Sequence, residues 1–415
     1  MRMLTFIAAF AMAASIPGGI FAQETTPTFA QGTTSAQDDE QGEEQESPDD
    51  EQSAGRAQAA SVKKGEGAVF AMTNATAGNR IVRYSRASDG TLTRVGSVRT
   101  RGLGIGVDTD TQGPLRLGTD RRYLYAVNAG SDEISVFAVN GTRLRFVQKV
   151  YAGDQPLSLT LSGNLLYVLN GSVAGNGIRG FRIAGNGTLT ELPDSFRLLS
   201  SPIAVPGEVR FSPDGRIILV THKTTNVLLT PPNAIDAFDI GADGYASATP
   251  IRNASFGLRP FSLAPRDDGK LVVVESFNAA PNLSAVSSYQ LNPDATITPI
   301  SGSVPNGQTD VCWVVITNDG RYAFTANFGS GTISSYSLSP TGALTLISGN
   351  AAFLGDMSQP VDLSLSADGR FLYLLLRGTG GVAAFRIGDG GSLTSLGVIV
   401  GGLPVADGAS GLAAY

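Results

Sequence analysis

One aromatic residue returns about every fifty positions through most of this chain, and that recurrence limits the fold more than any other feature. The series is Tyr84, Phe137, Phe181, Phe238, Tyr289, Tyr336 and Phe385, at separations of 53, 44, 57, 51, 47 and 49. A second series keeps the same beat: Asn74, Asn128, Asn170, His222, Ser276, Asn327 and Leu376, at 54, 42, 52, 54, 51 and 49. A period of this length signals a repeat architecture, in which each unit buries its apolar faces only against its neighbours.

The unit from Gln359 to Leu393 shows the grammar most plainly. Pro360 to Ser366 alternates, Asp368-Gly369 turns the chain, Phe371 to Leu375 is apolar, and Gly381 to Ile387 alternates again. Alternation with period two marks strands, and Asp-Gly between them marks hairpins, with the primed turns expected because they require positive φ. Each unit is therefore four short antiparallel strands, called a to d from the inside out. Seven such units predict an all-β, seven-bladed propeller over 67–415, a single large domain. Its first unit opens on strand b (Ala68 to Asn74) and lacks an inner strand, whereas Gly408 to Tyr415 fits an inner strand with nothing after it. The C-terminus is expected to complete blade one and leave no unpaired edge.

The N-terminal sixth is different. Arg2, the apolar run Leu4 to Ala14, the breakers Pro17-Gly18-Gly19 and the small residue Ala22 form a secretory leader over 1–22, implying an extracellular or periplasmic protein. Residues 23–66 are an acidic linker: between 24 and 66 stand eleven acids and three bases, with one aromatic, Phe29. Such a segment cannot offset its ordering entropy by burial and is expected to be disordered. No other stretch approaches the roughly 20 apolar residues of a membrane span. The propeller carries 26 bases against 25 acids, which disfavours nucleic acid as a partner. One cysteine and one histidine exclude disulfides, cysteine-cluster metals and paired-imidazole metal sites, so neither metal nor cofactor is expected. A monomer is expected.

Tyr123-Leu-Tyr-Ala-Val-Asn128, Phe211-Ser-Pro-Asp-Gly-Arg216, Asn327 to Tyr336, Ser366 to Tyr373 and the closing Ala409 to Ala414 resemble the seven-bladed propeller lactonase family. That family includes the propeller type of 6-phosphogluconolactonase and carboxymuconate-cyclising enzymes. The resemblance spans essentially all of 67–415 and implies a site that opens or forms a lactone. Cyclising members carry a Pro-His-x-His run in blade four, where this chain has Pro206-Gly207-Glu208-Val209-Arg210-Phe211. The next family blade opens Pro-Arg-His, to which Arg259 corresponds, and Glu275 lies near the family's glutamate.

In a propeller the d-to-a and b-to-c connections share one face around the central channel. Strand starts bring Arg116, Asp154, Glu208, Arg259, Asp310, Trp313 and Asp407 to that face, and strand-b ends bring Asn128, Asn170, His222, Glu275, Asn327 and Arg377. Arginines beside carboxylates in a concave mouth suit a small lactone, sugar-derived or carboxylated ligand. Two functions follow. In a lactonase or lactone-forming cyclase, Arg259 would hold the substrate and Glu208, Glu275 or His222 would move the proton. In a non-catalytic propeller the same mouth would bind a ligand or another protein. For His222 the competing reading is a structural residue doing the work of the repeat's asparagine, and for Trp313 it is packing between blades.

Overall fold

The computed structural model describes residues 66–172, 175–201, 204–223 and 233–415. The leader and the acidic linker, apart from Glu66, lie outside the described residues. Among those described there are seven antiparallel sheets. In each, the aromatic of the first series lies on the third strand and is buried, from Tyr84 on Arg80–Arg86 to Phe385 on Gly381–Ile387. Six blades open with inner strands Leu115–Leu117, Pro156–Ser162, Pro206–Phe211, Pro260–Pro265, Val311–Ile316 and Pro360–Leu365. The seventh inner strand is Leu412–Ala414, which pairs antiparallel with Gly67–Met72 so that Val69 faces Ala414 and Ala71 faces Leu412. Each inner strand touches the next in cyclic order, Leu412–Ala414 lying between those of blades seven and two. The ring is closed in blade one by the first and last strands of the propeller, as expected.

A tyrosine at the third position of strand b latches neighbouring blades. Tyr167 donates to Gly244 O at 2.8 Å and Tyr373 to Gly90 O at 2.9 Å, each acceptor lying in the c–d turn of the following blade. Gly90 has φ 95°, and a Cβ there would lie 2.3 Å from the Phe371 ring. Both the turn and the close approach therefore require glycine.

Three details depart from the sequence reading. At Asp214-Gly215, Asp268-Gly269, Asp319-Gly320 and Asp368-Gly369 only the glycine has positive φ. Gly215 N donates to Ser212 O, so this is a longer hairpin closed by a left-handed glycine, not a two-residue primed turn. The aspartate instead accepts from the residue two ahead, as Asp214 does from Arg216 N at 3.2 Å. In blade five the repeat position is Glu275, which faces Pro260 as Asn170 faces Pro156 and His222 faces Pro206; Ser276 lies one residue past the strand. The outer strand of blade three is split into Leu189–Glu191 and Arg197–Leu198, both paired with Gly177–Ile183.

Removing Leu412 to Tyr415 leaves Gly67–Met72 as an open edge. Calorimetry of this truncation is expected to show a drop in Tm of at least about 10 °C for the whole transition, because one ring unfolds as one unit. An unchanged Tm would show that closure adds no stability.

Candidate functional site

The connection between Arg99 and Leu115 runs through the centre of the ring, and the site is built on it. The Gln112 side chain bonds both polar groups of Val314, donating to its O at 2.9 Å and accepting from its N at 3.0 Å. Gln112 O accepts from Ser158 Oγ at 2.5 Å, Thr111 Oγ1 donates to Leu157 O at 2.9 Å, and Thr111 O accepts from Trp313 Nε1 at 3.2 Å. Gln112 N reaches Gly207 O at 3.3 Å. Thr109 to Gly113 therefore meets the inner strands of blades three, four, six and seven and fills the channel. The seventh contact is electrostatic: buried Asp362 accepts from Gly113 N at 3.1 Å and from Gly411 N at 2.8 Å.

Above this plug, charged side chains converge. Lys223, just past strand b of blade four, reaches both the carbonyl and the carboxylate of Asp110, and its ammonium lies 4.7 Å from the Phe261 ring centroid. Arg259 Nη2 is 3.7 Å from the same carboxylate. Arg377 bonds Asp108 at 3.3 Å, and Asp108 also accepts from Ser410 Oγ at 3.1 Å. Asp310 accepts from the buried Cys312 thiol at 3.4 Å. Burial pushes the Asp310 carboxyl up, with the Arg259 charge opposing, and burial followed by Asp110 pushes Asp108 up. Burial, reinforced by Asp310, raises the Cys312 thiol well above its ordinary value. Asp110, Arg259, Asp310 and Gln359 all sit at positive φ, between 46° and 58°. Left-handed backbone costs a non-glycine residue roughly 1–2 kcal/mol, and such strain gathers at functional sites. Thr109 Oγ1, Gln359 Oε1 and Arg377 Nε are buried here without a hydrogen-bond partner among the described residues.

The other sequence-derived candidates fall in separate places. Glu208 is fully buried inside the ring, where Oε1 meets Arg116 at 2.6 Å and Arg210 at 3.4 Å and Oε2 accepts from Leu263 N at 3.0 Å. Burial pushes its carboxyl up against the pull of Arg210 and Arg116. His222 Nε2 lies 2.9 Å from Asp236 Oδ2, and Asp236 also accepts from Ser200 N and Oγ at 2.7 and 2.6 Å. Burial disfavours the Asp236 anion, yet the bonds from His222 and Ser200 carry its carboxyl below the usual range. Glu275 accepts from Gly257 N, Ser287 Oγ and Ser303 Oγ at 2.8, 2.5 and 2.6 Å; burial raises it nonetheless. Asn128 bonds Ser135 and Thr100, Asn327 bonds Thr332 and Ser334, and Asn170 bonds the Ala152 and Asp154 carbonyls. At strand-b ends these side chains tie strand c or the connection that enters the blade to their own strand. Trp313 is buried between Phe261 and Phe328, at centroid distances of 5.1 and 6.2 Å.

Thus Arg259, Asp310 and Arg377 meet at the mouth, whereas Arg116 with Glu208 lies within the ring and His222 and Glu275 each lie in a closed polar network. Sequence reasoning did not reach Asp108, Asp110 and Lys223. The available signal was the polar run Asp108-Thr-Asp-Thr-Gln112 in an unusually long connection. Among the described residues no cluster of ligating side chains could hold a metal ion, and no helix is long and apolar enough to cross a membrane.

Fold and mouth together define a seven-bladed propeller with a plugged channel and a charged, strained opening. The sequence matches the family described as Lactonase, 7-bladed beta-propeller, over residues 68–205 and 219–355, and the chain belongs to that family. Among solved structures, it is similar to a candidate 6-phosphogluconolactonase of Bacteroides uniformis, at TM-score 0.66 and 16% identity, covering 85% of this chain and 100% of that one. It is also similar to a protein from Lactobacillus plantarum, at TM-score 0.64 and 17% identity, covering 84% and 99%. A third is the periplasmic gluconolactonase of Pseudomonas aeruginosa, at TM-score 0.60 and 17% identity, covering 84% and 99%. None of the curated proteins matches in sequence.

Two stability predictions follow from the buried charges. Glu208→Gln leaves two guanidinium groups facing an amide, and urea unfolding is expected to show a loss of about 3–5 kcal/mol. A loss under about 1 kcal/mol would show that the carboxylate does not hold them. Burial raises Asp362 to about 7, the two backbone bonds opposing. Its folded value exceeds the unfolded value of about 3.9, so its ionisation works against the fold progressively between about pH 4 and pH 7. The stability of wild type relative to Asp362→Asn should therefore fall as pH rises through that window. A difference independent of pH would contradict the assignment.

Proposed function

We propose that the protein hydrolyses a lactone of a small oxygen-rich or carboxylated molecule at the mouth above the Thr109–Gly113 plug. The observation that carries this reading is the convergence of Lys223, Arg259 and Arg377 with Asp108, Asp110 and Asp310 on strained backbone beside buried polar atoms that lack partners. Family membership supports it.

The chemistry is addition and elimination at the ring carbonyl. Asp310 takes a proton from water as the water oxygen bonds the carbonyl carbon. Arg259 and Lys223 stabilise the oxyanion that forms, in a setting where Asp110 holds both cations over the plug. The ring C–O bond then breaks, and the departing alkoxide takes the proton back from Asp310, giving a hydroxy acid. Arg377, fixed by Asp108, is suited to a carboxylate or hydroxyl on the substrate. The leader-like residues 1–22 and the similarity to a periplasmic gluconolactonase support an exported enzyme acting on unphosphorylated lactones.

A second reading is a propeller that binds such molecules without turnover. It is favoured by the engagement of the single histidine, His222, with Asp236.

In pH-stat assays over a panel of aldonolactones and carboxymuconolactones, Asp310→Asn is expected to lower kcat by about 10²-fold or more. The wild-type rate should climb with pH along an acid limb lying above the ordinary aspartate range, since burial raises that carboxyl. Arg259→Ala should lower kcat, with Arg259→Lys restoring only part of the loss. Silence across the panel from folded protein, with a lactone or hydroxy acid still bound, would favour the binding propeller.

A further inference from the structure

The mouth is charged at its centre and apolar at its rim. Of the large apolar side chains exposed among the described residues, half lie on outer strands and the rest in mouth-face connections, among them Met357, Val405, Val107 and Val205, at 72%, 64%, 61% and 50%. All four lie in d-to-a connections on the mouth face, as does Leu258. The a–b and c–d turns of the opposite face contribute none of the large exposed apolar residues. Each of the five is also tied to the charged cluster. Val107 precedes Asp108, Leu258 precedes Arg259, and Val205 O accepts from Lys223 N at 2.8 Å. Val405 precedes Ala406, whose N donates to Arg377 O at 3.1 Å. Met357 precedes Ser358, whose O accepts at 3.0 Å from Gly378 N, the residue after Arg377. Asn74 Nδ2 donates to both Val107 O and Gly408 O, at 2.6 and 3.0 Å, and so staples two of these connections together.

Several exposed apolar side chains gathered on the connections that carry a charged site suit a ligand with an apolar part. We propose that the mouth takes an amphiphilic lactone and its hydroxy acid: a polar ring or carboxylate at Arg259, Arg377 and Lys223, and an alkyl or aryl substituent lying on the collar of Val107, Val205, Leu258, Met357 and Val405. A polyol lactone would satisfy the charged centre and leave the collar wet. An apolar partner alone would cover the collar and take three cations and three aspartates out of water with only one another as partners. A molecule with both parts satisfies both. The proposal rests on the lactonase reading for the reacting group and not for the recognition of the tail.

The test separates the two. Calorimetric titration of the full chain compares 4-hydroxybutanoate with 4-hydroxydecanoate, alongside pH-stat hydrolysis of the corresponding γ-lactones. A fully buried methylene is worth about fourfold in affinity, so six methylenes only partly covered should bind at least about tenfold tighter. The double variant Val405→Ser with Met357→Ser should bring that ratio towards one, with its Tm unchanged because both side chains are mostly exposed. Equal affinities for the two acids, or no binding of either, would overturn the collar even if lactones are hydrolysed. A chain-length preference that survives the double variant would also overturn it. A preference lost in the variant, with no lactone hydrolysed, would uphold the collar and remove the hydrolase reading.

Discussion

Seven twisted sheets arranged about an axis leave two problems, an unpaired edge where the propeller begins and a channel where the inner strands cannot meet. Asp362 stands where both are solved. One oxygen of its carboxylate accepts from Gly113 in the segment that fills the channel, and the other accepts from Gly411 at the start of the closing strand. A buried carboxyl accepting from two backbone donors is a demanding partner, since neither donor can move away without leaving a buried polar group unpaired. Ring closure and channel filling are thereby coupled through one residue. The mouth depends on both, because Asp108 and Asp110 are held in place by the plug and Ser410 by the closing strand.

The cost of this arrangement is visible at the rim. Arg259, Asp310 and Gln359 take the left-handed backbone that also precedes the inner strand at Gln155, and Asp110 takes it within the plug. Buried carboxyls at Asp108, Asp310 and Glu208 are all displaced towards the neutral form by burial. A rigid all-β ring is suited to bearing that strain, since each blade is packed on two sides and the tyrosine latches fix neighbouring blades in register.

How far the chain could be understood before its structure depends on the range of the interaction concerned. The strand-c aromatics were legible because each belongs to its own alternating strand and is buried by the adjacent blade whichever blade that is. Strand-b ends were legible at five blades and misplaced by one residue at two, where Thr73 and Glu275, not Asn74 and Ser276, take the position that asparagine holds in blades two, three and six. The hairpin sites were legible, but their geometry was not, because Asp-Gly serves several turn classes that differ only in φ. At the mouth, Arg259, Asp310 and Arg377 could be named from their positions at strand boundaries. Asp108, Asp110 and Lys223 could not, since nothing in a connection without periodicity says where it crosses the ring.

The sequence by itself determined the blade: its four strands, their order, the number of repeats and the way the two ends share one sheet. These follow from alternation, turn residues and period, which act over a few residues or recur at fixed spacing. Only the tertiary structure decided the chemistry of the centre. It set Glu208 against Arg116, 92 residues away, and Lys223 against Asp110, 113 residues away, and it drew an apolar collar from five separate connections. Those meetings depend on where a closed ring places its loops, and electrostatic partners at such separations leave no local mark on the chain.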